Sequence, residues 1–162
     1  ATPDRRVQLA PESYLKDLAR ASAALYRSPP ELVLIGRRHV RSNNSWLHNS
    51  QRLVKGKPRC TLLIHPDDAS SRGIADGATV RLRSRVGEVE VSAEVSADVM
   101  PGVVCLPHGW GHDRAGTRLA VASRHAGVSI NDVVDDQRVD ALTGTAVLNG
   151  TPVEVLAMAA GP

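Results

Sequence analysis

Leu32-Val33-Leu34-Ile35-Gly36-Arg37-Arg38-His39-Val40-Arg41-Ser42-Asn43-Asn44-Ser45-Trp46-Leu47-His48-Asn49 sets four apolar residues against a polar loop, with the join at Gly36. The apolar run reads as a buried strand, and the glycine as the point where a loop opens. The loop holds three arginines, two histidines, three asparagines and two serines around one tryptophan. Arginine presents a planar fork to phosphate or carboxylate, while an asparagine amide offers a donor and an acceptor together. That mixture suits a large polar ligand carrying negative charge.

Working outward, the rest of the chain alternates short apolar runs with turn residues. Cys60–Ile64 is a second apolar segment, and His65-Pro66-Asp67-Asp68-Ala69 starts a short helix ending near Gly73. Thr79–Ser84 and Val89–Val95 alternate polar with apolar residues, as half-buried strands do. Val99-Met100-Pro101-Gly102 turns the chain into Val103–Leu106, and an unusual loop follows, Pro107-His108-Gly109-Trp110-Gly111-His112. Pro152–Leu156 reads as the closing strand. Short strands, frequent turns and few helices indicate a β-barrel or sandwich. Upstream, Pro11-Glu12 opens a helix with Tyr14, Leu15, Leu18, Ala21 and Leu25 on one face, stopped by Ser28-Pro29-Pro30. Such a stripe must lie on something, either the barrel or a domain outside this chain. Residues 1–30 are therefore expected to be a helical lead-in, and 31–158 the main domain.

Composition narrows the function classes. The core must be aliphatic, since there is no phenylalanine, and β-branched side chains pack well in strands. No apolar run spans a bilayer, so no transmembrane helix and no membrane partner are expected. The N-terminus lacks the apolar segment of a signal peptide. The basic side chains are nearly all arginine, but a net charge of only +3, without interleaved aromatics, argues against nucleic acid as a partner. Cys60 and Cys105 lack CxxC spacing, so they read as small buried thiols in a reducing compartment such as the cytoplasm. His108 and His112 are four apart, yet Gly109 and Gly111 between them oppose a helix and hence a metal pair. Asp132, Asp135 and Asp136 read as a solvated acidic turn rather than paired catalytic carboxylates.

Several of these pieces, taken in order, resemble one family. Leu34-Ile35-Gly36-Arg37-Arg38 with Asn43-Asn44-Ser45-Trp46 and His48-Asn49 is similar to the opening of the C-terminal molybdopterin-dinucleotide-binding domain of the dimethyl sulfoxide reductase family, which includes formate dehydrogenases and nitrate reductases. His65-Pro66-Asp67-Asp68-Ala69, Gly73–Gly77, Asp98–Val104 running into Pro107–His112, Gly127–Asp132 and Asp140–Gly144 continue the pattern from about residue 31 to 156. The resemblance implies a mainly β chain with short helices, folded as a double-psi β-barrel. It also implies binding to the pterin and phosphate parts of bis-molybdopterin guanine dinucleotide, carrying molybdenum or tungsten. Gly36, Arg37, Arg38, Asn43, Asn44, Ser45, His48, Asn49, His108 and Asn131 are the implied contacts.

Residue chemistry agrees, because a pterin edge is a row of donors and acceptors and a pyrophosphate needs arginine or main-chain N–H groups. One departure stands at Ser129, where the family often has asparagine. The metal ligand and cluster cysteines of the family lie in earlier domains, so no catalytic or metal-ligating residue is expected here. The partner is expected to be the preceding domains of the same polypeptide. Within the first loop, Trp46 is expected to anchor the packing, and one of Asn43 and Asn44 to be structural. The competing reading is a stand-alone double-psi barrel acting as an interaction module without cofactor.

Overall fold

The computed structural model describes residues 2–158; Ala1, at the edge of the expected lead-in, lies outside them. The chain is mostly β with short helices. In order the elements are α1 (Glu12–Leu25), β1 (Val33–Arg37), α2 (Gln51–Val54), β2 (Thr61–Ile64), α3 (Pro66–Ser71), β3 (Thr79–Arg83), β4 (Glu88–Val95) and β5 (Val103–Pro107). Two 3-10 turns at Ala122–His125 and Ile130–Asp132 precede β6 (Thr151–Pro152) and β7 (Glu154–Ala157).

The seven strands among the described residues form one sheet in the order β6-β1-β5-β2-β4-β3-β7. Its two edge strands are successive in the chain, with Val153 alone between them. The sheet is therefore curled, since one short segment serves both edges. Two parallel pairings, β1 with β5 and β2 with β4, sit among antiparallel ones. The inside of the curl is filled by Leu34, Leu62, Ile64, Val80, Leu82 and Leu106, all inaccessible to solvent. Fully burying such a side chain stabilises by about 1.5–3 kcal/mol. The alternation read in Thr79–Arg83 is literal: Val80 and Leu82 point inward while Thr79 and Arg83 face solvent.

Two motifs are explained by caps. The His65 ring accepts a hydrogen bond from Asp67 N at the start of α3, and Pro66 occupies the first helical turn, where its missing N–H costs nothing. Asp68 Oδ2 accepts from Gly102 N at 2.7 Å, which ties the helix to the turn before β5. Histidine, proline and two aspartates in this order thus fix a helix start and a distant turn at once.

Two expectations change, and of the two covers offered for the α1 stripe the barrel is not the one used. Gly36 and Arg37 do not open the loop; they are the last residues of β1, held in register against Leu106 and Pro107. The apolar stripe of α1 is uncovered, with Tyr14, Leu15, Leu18 and Leu25 more than half exposed. Asp135 is not part of a solvated turn. It is buried and takes two 2.7 Å hydrogen bonds from the Arg85 guanidinium, which hold its carboxyl down to about 2.

Candidate functional site

Because β1 and β5 are parallel and in register through Arg37 and Pro107, the two unusual loops leave the sheet side by side. His108 N donates to Arg37 O at 2.9 Å, so the second loop begins hydrogen-bonded to the end of the first strand. The loops then touch at Gly109. A Cβ on that residue would lie 2.5 Å from Asn44 O and 2.6 Å from Asn44 C, and its φ is +92°. Only glycine permits both the backbone conformation and the approach.

A third segment joins them. Gly111, at φ +102°, packs so closely on Ser129 that a Cβ would stand 2.8 Å from the serine Cβ. Gly111 N and His112 N both donate to Ala126 O. The Asn49 side chain crosses from the first loop to accept from Val121 N and Ala122 N, capping the 3-10 turn. Residues 36–49, 107–112 and 121–131 thus converge on one face.

At their centre are three rings. His48 is 2% exposed. Its Nδ1 lies 2.7 Å from His112 Nε2 in a hydrogen bond, and its ring stacks on Trp110 with centroids 4.0 Å apart. Burial, reinforced by the neighbouring His112, pushes His48 down to about 4; the Gly109 backbone opposes this weakly. Burial also lowers His112. His48 Nε2 and Trp110 Nε1 are both buried with no hydrogen-bond partner, an arrangement rarely retained without a reason.

The residues singled out from sequence divide by what their side chains touch. Arg37 faces the barrel. Its guanidinium donates to Cys105 O at 2.5 Å, Thr61 O at 2.8 Å and Thr61 Oγ1 at 3.0 Å, tying β1 to β5 and β2. The Thr61 hydroxyl in turn donates to Glu94 at 2.6 Å, the bond that chiefly lowers that carboxyl. Arg38 is exposed and donates to Asn44 Oδ1. Asn43 and Asn44 both adopt positive φ, +41° and +62°, so both serve the turn, and Asn43 leaves its amide exposed.

Gly36 is exposed and donates its N–H to Asn149 Oδ1 at 2.8 Å; a Cβ there would make only ordinary contacts. Protein packing therefore does not demand this glycine. Ser45 and His108 are half-buried, and Asn131 is exposed on the Ile130–Asp132 turn. Trp46 does not anchor the loop; it is 82% exposed, and Trp110 of the second loop fills that role.

Sequence reasoning missed His112, Trp110 and Asn149. The His-Gly-Trp-Gly-His spacing was legible and correctly opposed a helix, but a hydrogen bond between histidines sixty-four residues apart leaves no local pattern.

An open cleft of about 470 Å3 lies over the first loop, lined by Arg38, His39, Val40, Asn43, Asn44 and Leu47. A larger cavity, about 810 Å3, runs along the β6–β7 seam and includes none of the implied cofactor contacts. We take the smaller cleft as the site because it is lined by the first of the three convergent polar segments. Among the described residues no group of three or more His, Cys, Asp or Glu is placed to hold a metal ion, and no helix is long and apolar enough to cross a membrane.

Known proteins are similar to this chain. The chain is 42% identical over 81 residues to biotin sulfoxide reductase of Cereibacter sphaeroides, covering 49% of this chain and 11% of that protein. It is 33% identical over 113 residues to NADPH-Fe(3+) oxidoreductase subunit alpha of Geobacter sulfurreducens, covering 68% of this chain and 13% of the relative. This chain therefore matches roughly an eighth or less of each relative's length. Acetylene hydratase from Pelobacter acetylenicus has a similar fold, with a TM-score of 0.66 over 89% of this chain and 20% of that structure, at 21% identity. The family described as Molydopterin dinucleotide binding domain matches residues 32–152, three quarters of the chain and all three convergent segments, and this chain belongs to that family.

Proposed function

We propose that this chain is the C-terminal cofactor-binding domain of a molybdenum or tungsten oxidoreductase, and that it covers the pterin and phosphate parts of bis-molybdopterin guanine dinucleotide. The observation that carries this reading is the convergence of three polar segments, distant in sequence, on one face. The chemistry of that face fits the group. Arg38 lines the open cleft and presents its exposed guanidinium there for phosphate oxygens. Asn43, Asn131, Ser45 and His108 supply both donors and acceptors for a pterin edge. The buried, unpartnered nitrogens of His48 and Trp110 add polar capacity that the protein leaves unmet. Arg37 and Asn49 support the site through the scaffold rather than by touching the ligand.

When bound, the cofactor supplies the redox chemistry through its metal. This chain's residues bind and orient it, and exclude water from the face that the loops cover. On the same reading residues 1–30 lead in from preceding domains of the polypeptide, and the curled sheet of 31–158 is a double-psi β-barrel. The parallel β1–β5 and β2–β4 pairs support that topology. The free thiols Cys60 and Cys105 favour a cytoplasmic setting.

The test is cofactor content. In the purified complete enzyme, Arg38→Ala and Asn131→Ala lower pterin and metal per polypeptide while the circular dichroism spectrum stays that of wild type. Elemental analysis of the wild-type protein distinguishes molybdenum from tungsten. Undiminished metal and pterin in both variants would refute the assignment of this face.

A further inference from the structure

His112 touches none of the open cleft, and nothing in the family pattern used above assigns it a role. Its position is nevertheless singular. His48 sits on the first loop and His112 on the second, and the 2.7 Å hydrogen bond between them joins the loops by side chains. The same loop carries Gly109, which admits the first loop's backbone, and Gly111, which admits Ser129. Two neutral imidazoles make this bond with one bridging nitrogen carrying a proton and the other a lone pair. The arrangement thus couples the tautomers of the two rings. Whichever ring donates, the state of the unpartnered His48 Nε2 follows from that of the bridge.

We propose that His112 is a positioning residue for the cofactor face: by its hydrogen bond it holds the His48 ring stacked on Trp110, and so keeps residues 107–112 closed on residues 36–49. This inference rests on the proposed function for its consequence, but not for the clasp itself. The charged and titratable groups that face the pair are few. His39 and Arg59 approach His48 from the first loop and the segment before β2, and both disfavour a proton on it. Asp113 faces His112 and favours one there. Cys60, packed against Gly127 beside Trp110, is held protonated by its burial. A first added proton therefore goes to the outer ring, at His112 Nδ1, and leaves the bridging bond intact. A second must go to His48 Nδ1, where two N–H groups would oppose each other and the clasp would open.

Trp110 provides a reporter that needs no cofactor, because a protonated imidazole stacked on indole quenches its emission. In a Trp46→Phe background, Trp110 emission of the 162-residue chain would be followed from pH 8 to 3.5. With His112 present, quenching begins only below about pH 5, since His48 stays neutral until about 4. In His112→Ala, His48 loses its partner and gains access to water, so the quenching step moves up by at least one pH unit, toward ordinary histidine. His112→Gln, whose amide can still donate to or accept from His48 Nδ1, restores the low midpoint. A purely space-filling role predicts that His112→Leu, which fills the position without a hydrogen bond, keeps the low midpoint as well, and that result would overturn the clasp.

The second arm is retention of cofactor by the complete enzyme during dialysis. His112→Ala loses pterin several-fold faster than wild type, and His112→Gln does not. If the fluorescence step moves but retention is unchanged, the clasp exists and its positioning role is overturned. If the retention of Arg38→Ala and Asn131→Ala is also unchanged, the failure belongs to the proposed function itself.

Discussion

Arg37→Ala is the perturbation that most directly separates a ligand-binding arginine from a scaffold arginine. The guanidinium makes three hydrogen bonds of 3.0 Å or less, to Cys105 O, Thr61 O and Thr61 Oγ1, spanning β1, β5 and β2. Hydrogen bonds from a charged donor contribute about 1.5–3 kcal/mol each when well formed. Two discounts apply: the side chain is only half-buried, and ladder hydrogen bonds can still serve the freed carbonyls. The expected cost is then about 3 kcal/mol, below the ~4.5 kcal/mol low end of the undiscounted sum. For a domain of this size that corresponds to a fall in Tm of about 6–12 °C. In urea it lowers the midpoint by about 1.5 M at an ordinary slope of ~2 kcal/mol/M.

The comparison is Arg38→Ala, in which an exposed guanidinium loses only its bond to Asn44; its cost is within about 0.5 kcal/mol. Arg37→Lys falls between the two, since an ammonium cannot fork to both neighbouring strands. The assay is urea unfolding followed by far-ultraviolet circular dichroism, with the slope required to stay constant. If Arg37→Ala and Arg38→Ala unfold at the same midpoint, Arg37 does not tie the strands and the division of the two arginines is refuted.

Other outcomes follow from the same geometry. His48 is depressed to about 4 by burial, so the folded chain resists a proton that the unfolded chain accepts near 6.5. Its contribution to stability is full above about pH 6.5 and falls through that window to pH 4, by up to about 3 kcal/mol; urea midpoints in His48→Gln should be flatter over the same range. Gly109→Ala forces a Cβ to within 2.5 Å of Asn44 O at φ +92°, whereas Gly144→Ala, at φ +68°, meets nothing within 4 Å. The first should shed cofactor from the complete enzyme and the second should keep it, as pterin content per polypeptide would show. Asp135→Asn removes the carboxylate that Arg85 grips with two bonds, so its Tm at pH 7 should drop below wild type. Wild-type stability from that carboxylate is present above about pH 4 and lost as pH falls toward 2, and the variant should lack that acid limb.

Much of the fold was legible because its signals are local. The alternation in Thr79–Arg83 and Glu88–Val95, the proline and aspartates after His65, and the Pro-Gly turn before β5 each specify a conformation within a few residues. The boundary at Gly36 was misread because glycine and arginine are poor strand formers by themselves. Pairing with Leu106 and Pro107 holds them in β1, and that pairing comes from seventy residues away. Asp135 was misread for the same reason: Asp136 and Gln137 beside it suggest a solvated turn, but its partner is the distant Arg85.

The sequence by itself determined that two polar loops follow two apolar strands, that their glycines and asparagines permit unusual backbone, and that this order of motifs belongs to one family. Tertiary structure alone decided what each side chain in those loops does. Parallel pairing of β1 with β5 sets the loops against each other, and the close approach at Gly109 and Gly111 brings in residues 121–131. Only then does Arg37 turn to the scaffold, Arg38 to the cleft, and His48 to His112. Side-chain role depends on which neighbours occupy the surrounding few ångströms, and in a sheet built from non-adjacent strands those neighbours are distant in sequence.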